Sequence, residues 1–167
     1  APSGIYEINK GFDKTGITTP FRGIYEDART QYLIKPDKKT MSCMGNTVTS
    51  VGFNVTAVFS KNPYENFTIS MGCRSPKLGN PVDFETGLII VYTAAQYTPT
   101  AGWNTFTLPT PYDWDGVSDL VLEVCYDNQT GNAPGGVDNV YLLNPTPLTP
   151  KKVVYANGNN SSGCYLN

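Results

Sequence analysis

The sequence contains no histidine and few charged residues, and both absences exclude chemistry. Charged residues make up 16% of the 167 residues, against roughly 25% in an average soluble domain. Without histidine, neither a Ser-His-Asp nor a Cys-His catalytic arrangement can be built, and a general base near neutral pH would need an Asp, Glu or Lys with a shifted pKa. No glycine-rich phosphate loop precedes a helix-like segment. The sequence therefore predicts a protein that is not an enzyme and has no catalytic residues.

Basic clusters and long apolar runs are also missing. Lysine and arginine are dispersed along a chain whose formal net charge is −2, so we expect no nucleic-acid partner. No run of about 18 apolar residues occurs, so we expect no insertion into a membrane. Residues 1–4 carry neither the basic nor the apolar region of a signal peptide. We therefore expect that any signal peptide has already been removed.

The four cysteines lie far apart, with no CxxC pair among them. They are Cys43, Cys73, Cys125 and Cys164. A zinc site made of four thiolates normally shows closely spaced pairs, so we expect no zinc. Two disulfides formed in an oxidising compartment are a better interpretation than free thiols, and they predict a secreted protein. The spacing alone leaves all three pairings open.

Glycine, proline and tyrosine are plentiful, with 16, 13 and 11 residues, and several segments alternate between apolar and polar residues. In one of them Val51, Phe53 and Val55 share a face, which is typical of a half-buried strand. Strands are predicted at 30–34, 48–55, 66–71, 87–93, 102–108, 119–126, 137–143 and 152–156, with a further short one at 6–8. These turn-separated strands predict an all-β fold, an antiparallel two-sheet sandwich that is jelly-roll-like and has about eight strands.

Two predicted strands do not alternate simply. The segment 87–93 is continuously apolar, so we expect it to be covered on both faces or to lie at the centre of the sandwich. In 102–108, Trp103 and Phe106 compete for the interior, and a β-bulge near Asn104 would resolve the conflict. At the level of domains, residues 1–20 form an N-terminal arm and 21–167 a single β-sandwich domain.

Three carboxylates cluster around a tryptophan between two of these strands. Asp113, Asp115 and Asp119 surround Trp114. We expect a tight turn at Asp115-Gly116, capped through the neighbouring side chains. Two alternatives are a calcium site made by the three aspartates and a glycosidase pair in which two of them act as acid and nucleophile.

Aromatic side chains are the other candidates for binding. A flat ring offers apolar area to the face of a sugar, and we expect Trp114, in a turn-rich loop, to be the best exposed ring, with Tyr112 beside it. The alternative is that most rings fill the core. The aromatic residues considered are Tyr97, Trp103, Tyr112, Trp114, Tyr126, Tyr141 and Tyr155.

One part of the chain resembles a known family. The segments GWNTFTL at 102–108 and PYDWDGVSDLVLEVCYDN at 111–128 resemble a pattern in large surface proteins of Bacteroidota, the type IX-secreted, gliding-motility-associated and adhesin-like proteins. Segments 29–34, 49–55 and 66–72 are similar to the same module. The resemblance covers residues 20–128 and, more loosely, the tail.

The resemblance implies a non-catalytic extracellular module for adhesion or structure in a cell-surface protein or fibre. The alternative is a carbohydrate-binding module. The implied partners are other copies of the chain or neighbouring surface-protein domains, and glycans for the alternative. The resemblance also implies the disulfide Cys125–Cys164, which leaves Cys43 with Cys73.

Family members continue past the late cysteine into a further strand, whereas this sequence ends at Asn167. We expect an open sheet edge as a result, and the arm at residues 1–20 is a candidate donor strand for it in another copy.

Overall fold

The fold is known from a computed structural model that describes residues 20–21, 27–36, 47–58, 62–78, 83–128, 139–141, 153–158 and 163–166. Their strands are β1 (Asp27–Ile34), β2 (Thr47–Ala57), β3 (Tyr64–Arg74), β4 (Ile89–Tyr97), β5 (Gly102–Asp113), β6 (Asp119–Asp127), β7 (Asn139–Tyr141) and β8 (Val153–Gly158). Short 3₁₀ turns span Pro76–Leu78 and Gly163–Tyr165. Within these ranges no helix has the length and apolarity needed to cross a membrane. The predicted strand at 6–8 and all of the arm except Pro20 lie outside them.

The strands form two sheets. One has the order β4-β3-β6-β1-β8 and the other the order β5-β2-β7. Every described pairing is antiparallel. The chain changes sheet at each connection between described strands except β3 to β4, as in a jelly roll. The prediction of an all-β, antiparallel two-sheet sandwich is confirmed.

Aromatic rings fill the space between the sheets. Phe67 of β3 and Phe106 of β5 bring their ring centroids to 5.1 Å across the interior. Phe21 precedes β1 and is fully buried, with its ring 5.7 Å from that of Phe53 and 5.8 Å from that of Tyr97. Because successive side chains of a strand point to opposite faces, the alternation in the sequence sends these rings into one shared core.

Strands β1 and β6 are covered on both faces, whereas β4 is not. Every residue of β1 is buried, and so is every residue of β6 except the last. In contrast, Ile89 and Ile90 of β4 are 61% and 63% exposed. The prediction that 87–93 is doubly covered or central is wrong, because the side chains of Ile89 and Ile90 are exposed to solvent and β4 lies at the end of its sheet order.

A buried polar layer covers the outer face of β1 and β6. Arg29 Nε donates to Glu123 Oε2 at 2.8 Å, and Gln31 Nε2 donates to the same oxygen at 2.6 Å. Gln31 also exchanges two 2.8 Å hydrogen bonds with the backbone of Glu85, whose carboxylate accepts from Arg74 Nε. Buried charges are tolerated when they are paired and hydrogen-bonded, so the segment 83–86 is held on this face by complementary partners.

Residues 163–166 form a C-terminal strap over the same face. A disulfide joins Cys164 to Cys125 of β6. The Gly163 N–H donates to Asp127 Oδ1 at 2.6 Å, and Arg29 Nη1 donates to the carbonyl oxygen of Leu166 at 2.8 Å. A Cβ at Gly163 would lie 2.0 Å from the carbonyl oxygen of Tyr126. Only glycine therefore allows the strap to approach the strand this closely.

The disulfide in the strap is the pair that the sequence resemblance implied. Cys73 is an exposed free thiol in the structure, and Cys43 lies outside the described residues. A second disulfide between Cys43 and Cys73 stays a prediction.

Candidate functional site

Asp115 organises the turn between β5 and β6. Its Oδ1 accepts from the backbone N–H groups of Val117 and Ser118 at 2.8 and 2.7 Å, and its Oδ2 accepts from Ser118 Oγ at 2.6 Å. The hydrogen bond from the Ser118 hydroxyl, followed by the two backbone bonds, lowers the pKa of Asp115 below its ordinary value. Gly116 adopts a positive φ of 68°, which glycine tolerates. The expected tight turn at Asp115-Gly116 is present.

The other two aspartates have separate roles. Asp113 accepts a 2.9 Å hydrogen bond from Thr47 Oγ1 and so links β5 to β2. Asp119 is buried at the start of β6, opposite Arg74. Burial raises its pKa, and the charges of Lys35 and Arg74 act in the opposite direction.

The aspartates are consequently not assembled into one site. Asp113 and Asp119 do not cap the turn as expected, since Asp113 contacts a neighbouring strand instead. Within the described ranges, which include Asp113, Asp115 and Asp119, no three Cys, Asp or Glu side chains are placed to hold a metal ion. The calcium alternative lacks the oxygen cluster that it requires.

Trp114 is the clearest correction to the sequence-based prediction. It is 6% exposed, belongs to the hydrophobic core and donates its indole N–H to the carbonyl oxygen of Ser118 at 2.8 Å. The turn folds back over the ring, so the expectation of an exposed platform is wrong. Tyr112 is half-buried, with its hydroxyl 3.5 Å from Cys73 Sγ. Burial, assisted by this hydrogen bond, raises the pKa of Tyr112 to about 12.

The exposed tryptophan is Trp103, which the sequence placed among the candidates for the interior. It is 53% exposed on the outer face of β5. A Cβ built on Gly52 of β2 would lie 3.3 Å from Trp103 Cε3, so the indole lies over a position without a side chain. Three exposed residues with hydroxyl groups, Ser50, Thr105 and Thr107, continue this surface. We call the whole set the Trp103 face: Trp103, Gly52, Ser50, Thr105 and Thr107.

A buried asparagine fixes the backbone beside Trp103. Asn104 Oδ1 accepts from the Thr100 N–H at 2.9 Å and from the Tyr97 hydroxyl, and Nδ2 donates to the carbonyls of Thr100 and Gly102 at 2.7 and 2.9 Å. Asn104 therefore takes the inward position, and Trp103 takes the outward one. The satisfied amide removes the cost of burying a polar group.

The expected bulge near Asn104 is absent. Pairing runs without a shift from Val55 opposite Gly102 to Ser50 opposite Thr107, and the irregularity lies between Val48 and Ser50. Alternation alone, with Asn104 in phase with Phe106, is the signal that could have identified Trp103 as exposed.

A second exposed feature is the edge of β4, the strand Ile89–Tyr97. Its sequence IIVYTAAQY contains no charged residue and no proline. Among the described strands β4 has β3 as its one hydrogen-bonded neighbour. The other sheet's edge strand β5 carries Pro109 and Pro111, which remove backbone donors and blunt an edge.

Fold and surface together define a β-sandwich with an internal disulfide, an exposed indole at Trp103 and an uncharged edge strand β4. Comparison with protein-family models, curated proteins and solved structures gave no match to this chain. The resemblance to surface modules of Bacteroidota thus depends on the sequence motifs alone.

Proposed function

We propose that the chain is a non-catalytic adhesion or structural module of an extracellular surface protein or fibre, and that it assembles through the edge of β4. The observation that carries this proposal is an edge strand of nine residues without charge or proline. The expected partner is another copy of the chain or a neighbouring domain of the same surface protein.

The backbone of β4 supplies the physical basis. An edge strand presents a row of unpaired N–H and C=O groups, and an added strand satisfies them with main-chain hydrogen bonds. Natural edges are usually protected by lysine, proline or inward charges. Ile89 and Ile90 instead expose apolar side chains at the start of β4, so an added strand would bury apolar area as well as gain hydrogen bonds.

The covered outer face of β1 and β6 and the disulfide also favour this role. The strap and the segment 83–86 tie distant parts of the chain to β1 and β6. A disulfide persists in an oxidising environment, which supports secretion and a place at the cell surface. The sequence resemblance points to the same kind of module.

The test introduces a charge on the edge. Thr93→Lys and Ile90→Lys each place an ammonium group on β4, and Val117→Lys is the matched control because Val117 is an equally exposed apolar residue in the turn. We expect the wild type and the control to form oligomers or fibres in sedimentation velocity and electron microscopy, and both β4 variants to remain monomeric. A wild type that stays monomeric up to high concentration, or β4 variants that assemble normally, would contradict the proposal.

A carbohydrate-binding role is the second candidate, and one observation favours it specifically. Trp103 is an exposed ring on a sheet surface rather than in the core, as stacking on a sugar requires.

A further inference from the structure

We infer that the Trp103 face binds the apolar face of an uncharged pyranose ring. This inference rests on the second candidate function, for which it names a ligand class and a site on the β5-β2-β7 sheet, and it does not depend on assembly through β4. The supporting residues are all described: Trp103 and its support Gly52, with the hydroxyl groups of Ser50, Thr105 and Thr107.

The position of the indole is the first argument. Half of a large apolar ring remains in water, although the buried Trp114 shows that this fold can enclose an indole. Gly52 offers no side chain, and a Cβ there would already approach Trp103 Cε3 to 3.3 Å. The ring can therefore lie against the sheet and offer its outer surface to a flat ligand.

The surrounding hydroxyls are the second argument. In the register, Thr105 lies opposite Gly52 and Thr107 lies opposite Ser50, and all these residues are exposed. A hydroxyl group both donates and accepts hydrogen bonds, which matches the hydroxyls around the edge of a sugar ring. The face as defined has no ionisable side chain, so its chemistry fits an uncharged sugar better than a uronate.

The size of the apolar surface argues against a protein partner at this position. A tryptophan buries on the order of 150–250 Å² when fully covered. A stable protein–protein interface needs about 800 Å² on each partner. Among the side chains that the structure describes on this face, one ring is bordered by small polar groups, which is closer in size to a single sugar ring.

Preorganisation is the third argument. The hydrogen bonds of Asn104 to Thr100 and Gly102 fix the backbone on either side of Trp103. A ring attached to a fixed backbone loses less conformational freedom when the ligand binds.

The experiment measures binding of β-1,4-linked gluco- and manno-oligosaccharides and of α-1,4-linked galacturono-oligosaccharides at millimolar concentration by tryptophan fluorescence and calorimetry. It uses the Thr93→Lys background together with the wild type, so that failure of assembly does not obscure the result. We expect a neutral oligosaccharide to bind. Trp103→Ala should weaken it at least tenfold, which corresponds to roughly 1.4 kcal/mol.

Two further variants make the result specific. Leu78→Ala is the matched control, since Leu78 is also an exposed apolar residue but lies in the 3₁₀ turn after β3, and it should bind as the wild type does. Gly52→Val keeps the indole but displaces it, and it should reduce binding as Trp103→Ala does. Circular dichroism establishes that each variant is folded.

Three results of the binding measurements would overturn the inference. They are no binding of either neutral oligosaccharide, binding that survives Trp103→Ala, and preference for the galacturonate. Conversion of an oligomer into a monomer by Trp103→Ala would also overturn it, because the face would then be an interface between copies.

Discussion

Removing the disulfide of the strap tests how strongly the C-terminal residues hold the fold together. Cys125→Ala combined with Cys164→Ala opens a loop of 39 residues, and the chain-entropy model then gives a loss of about 4 kcal/mol. The strap would be held mainly by the hydrogen bonds to Asp127 and from Arg29. A typical domain is stable by roughly 5–15 kcal/mol in total, so this single change removes a large share of it.

Urea denaturation followed by tryptophan fluorescence measures this loss in the free energy of unfolding, and thermal denaturation measures the corresponding change in Tm. For a chain of this size, the loss corresponds to a fall in Tm of about 8–16 °C. If Cys73 is a free exposed thiol, as in the structure, Cys73→Ala is the matched control and should change stability by less than about 0.5 kcal/mol.

The control also tests the second predicted disulfide. If Cys43 and Cys73 are joined, Cys73→Ala should cost several kcal/mol too, and peptide mapping should recover the cross-linked pair. A double Cys125/Cys164 variant that loses less than about 1 kcal/mol would refute the reasoning about the strap, because the expected range for such a bridge is about 2–4 kcal/mol.

Three further changes test individual positions. Gly163→Ala places a Cβ 2.0 Å from the Tyr126 carbonyl oxygen and should cost about 3 kcal/mol by overpacking; an unchanged denaturation midpoint would contradict this. Burial raises the pKa of Tyr97 to about 12, so the Tyr97 hydroxyl loses its proton at a lower pH in the unfolded chain than in the folded protein. The free energy of unfolding should therefore fall as the pH rises between about 10 and 12. Tyr97→Phe should reduce that fall when denaturation is measured at a series of pH values. Burial raises the pKa of Asp119 above 3.8, so the folded state holds that proton longer. Asp119→Asn should therefore gain stability relative to the wild type as the pH rises above 3.8, and an unchanged difference would count against it.

Alternation in the sequence was sufficient where one face of a strand meets the core. Val51, Phe53 and Val55 were predicted to share the inner face of β2, and all three pack into the core. The strand predicted at 119–126 is β6, Asp119–Asp127. Local side-chain orientation determines such positions, so a single segment carries the information.

The positions of the two tryptophans were not predicted correctly, because hydrophobicity competed with alternation at Trp103 and Trp114 lies in a turn-rich segment without alternation. Hydrophobicity favours burying Trp103 over Asn104. However, the turn that Asn104 closes satisfies the hydrogen bonds of its amide, so Asn104 is buried and Trp103 is exposed. Trp114 looked exposed because it lies in a turn-rich segment, and its burial depends on how that turn folds back onto the core. Neither outcome follows from the composition of the segment.

The covered outer face of β1 and β6 could not be predicted at all. Arg29 and Glu123 are 94 positions apart in the sequence, and each alone suggests a solvent-facing side of a strand. Only the folded chain brings residues 83–86 and the strap over them. The edge of β4 was missed for the same reason, since its position depends on the order of strands in the sheet.

The most direct test of assembly through β4 is hydrogen–deuterium exchange of its backbone amides at low and high protein concentration. Exposed edge amides exchange readily, and a newly paired strand protects them. We expect the amides of Ile89–Tyr97 that face away from β3 to become protected as the protein assembles, while the exposed turn at 116–118 does not change. Assembly that leaves the β4 amides as fast as in the monomer would contradict the central claim.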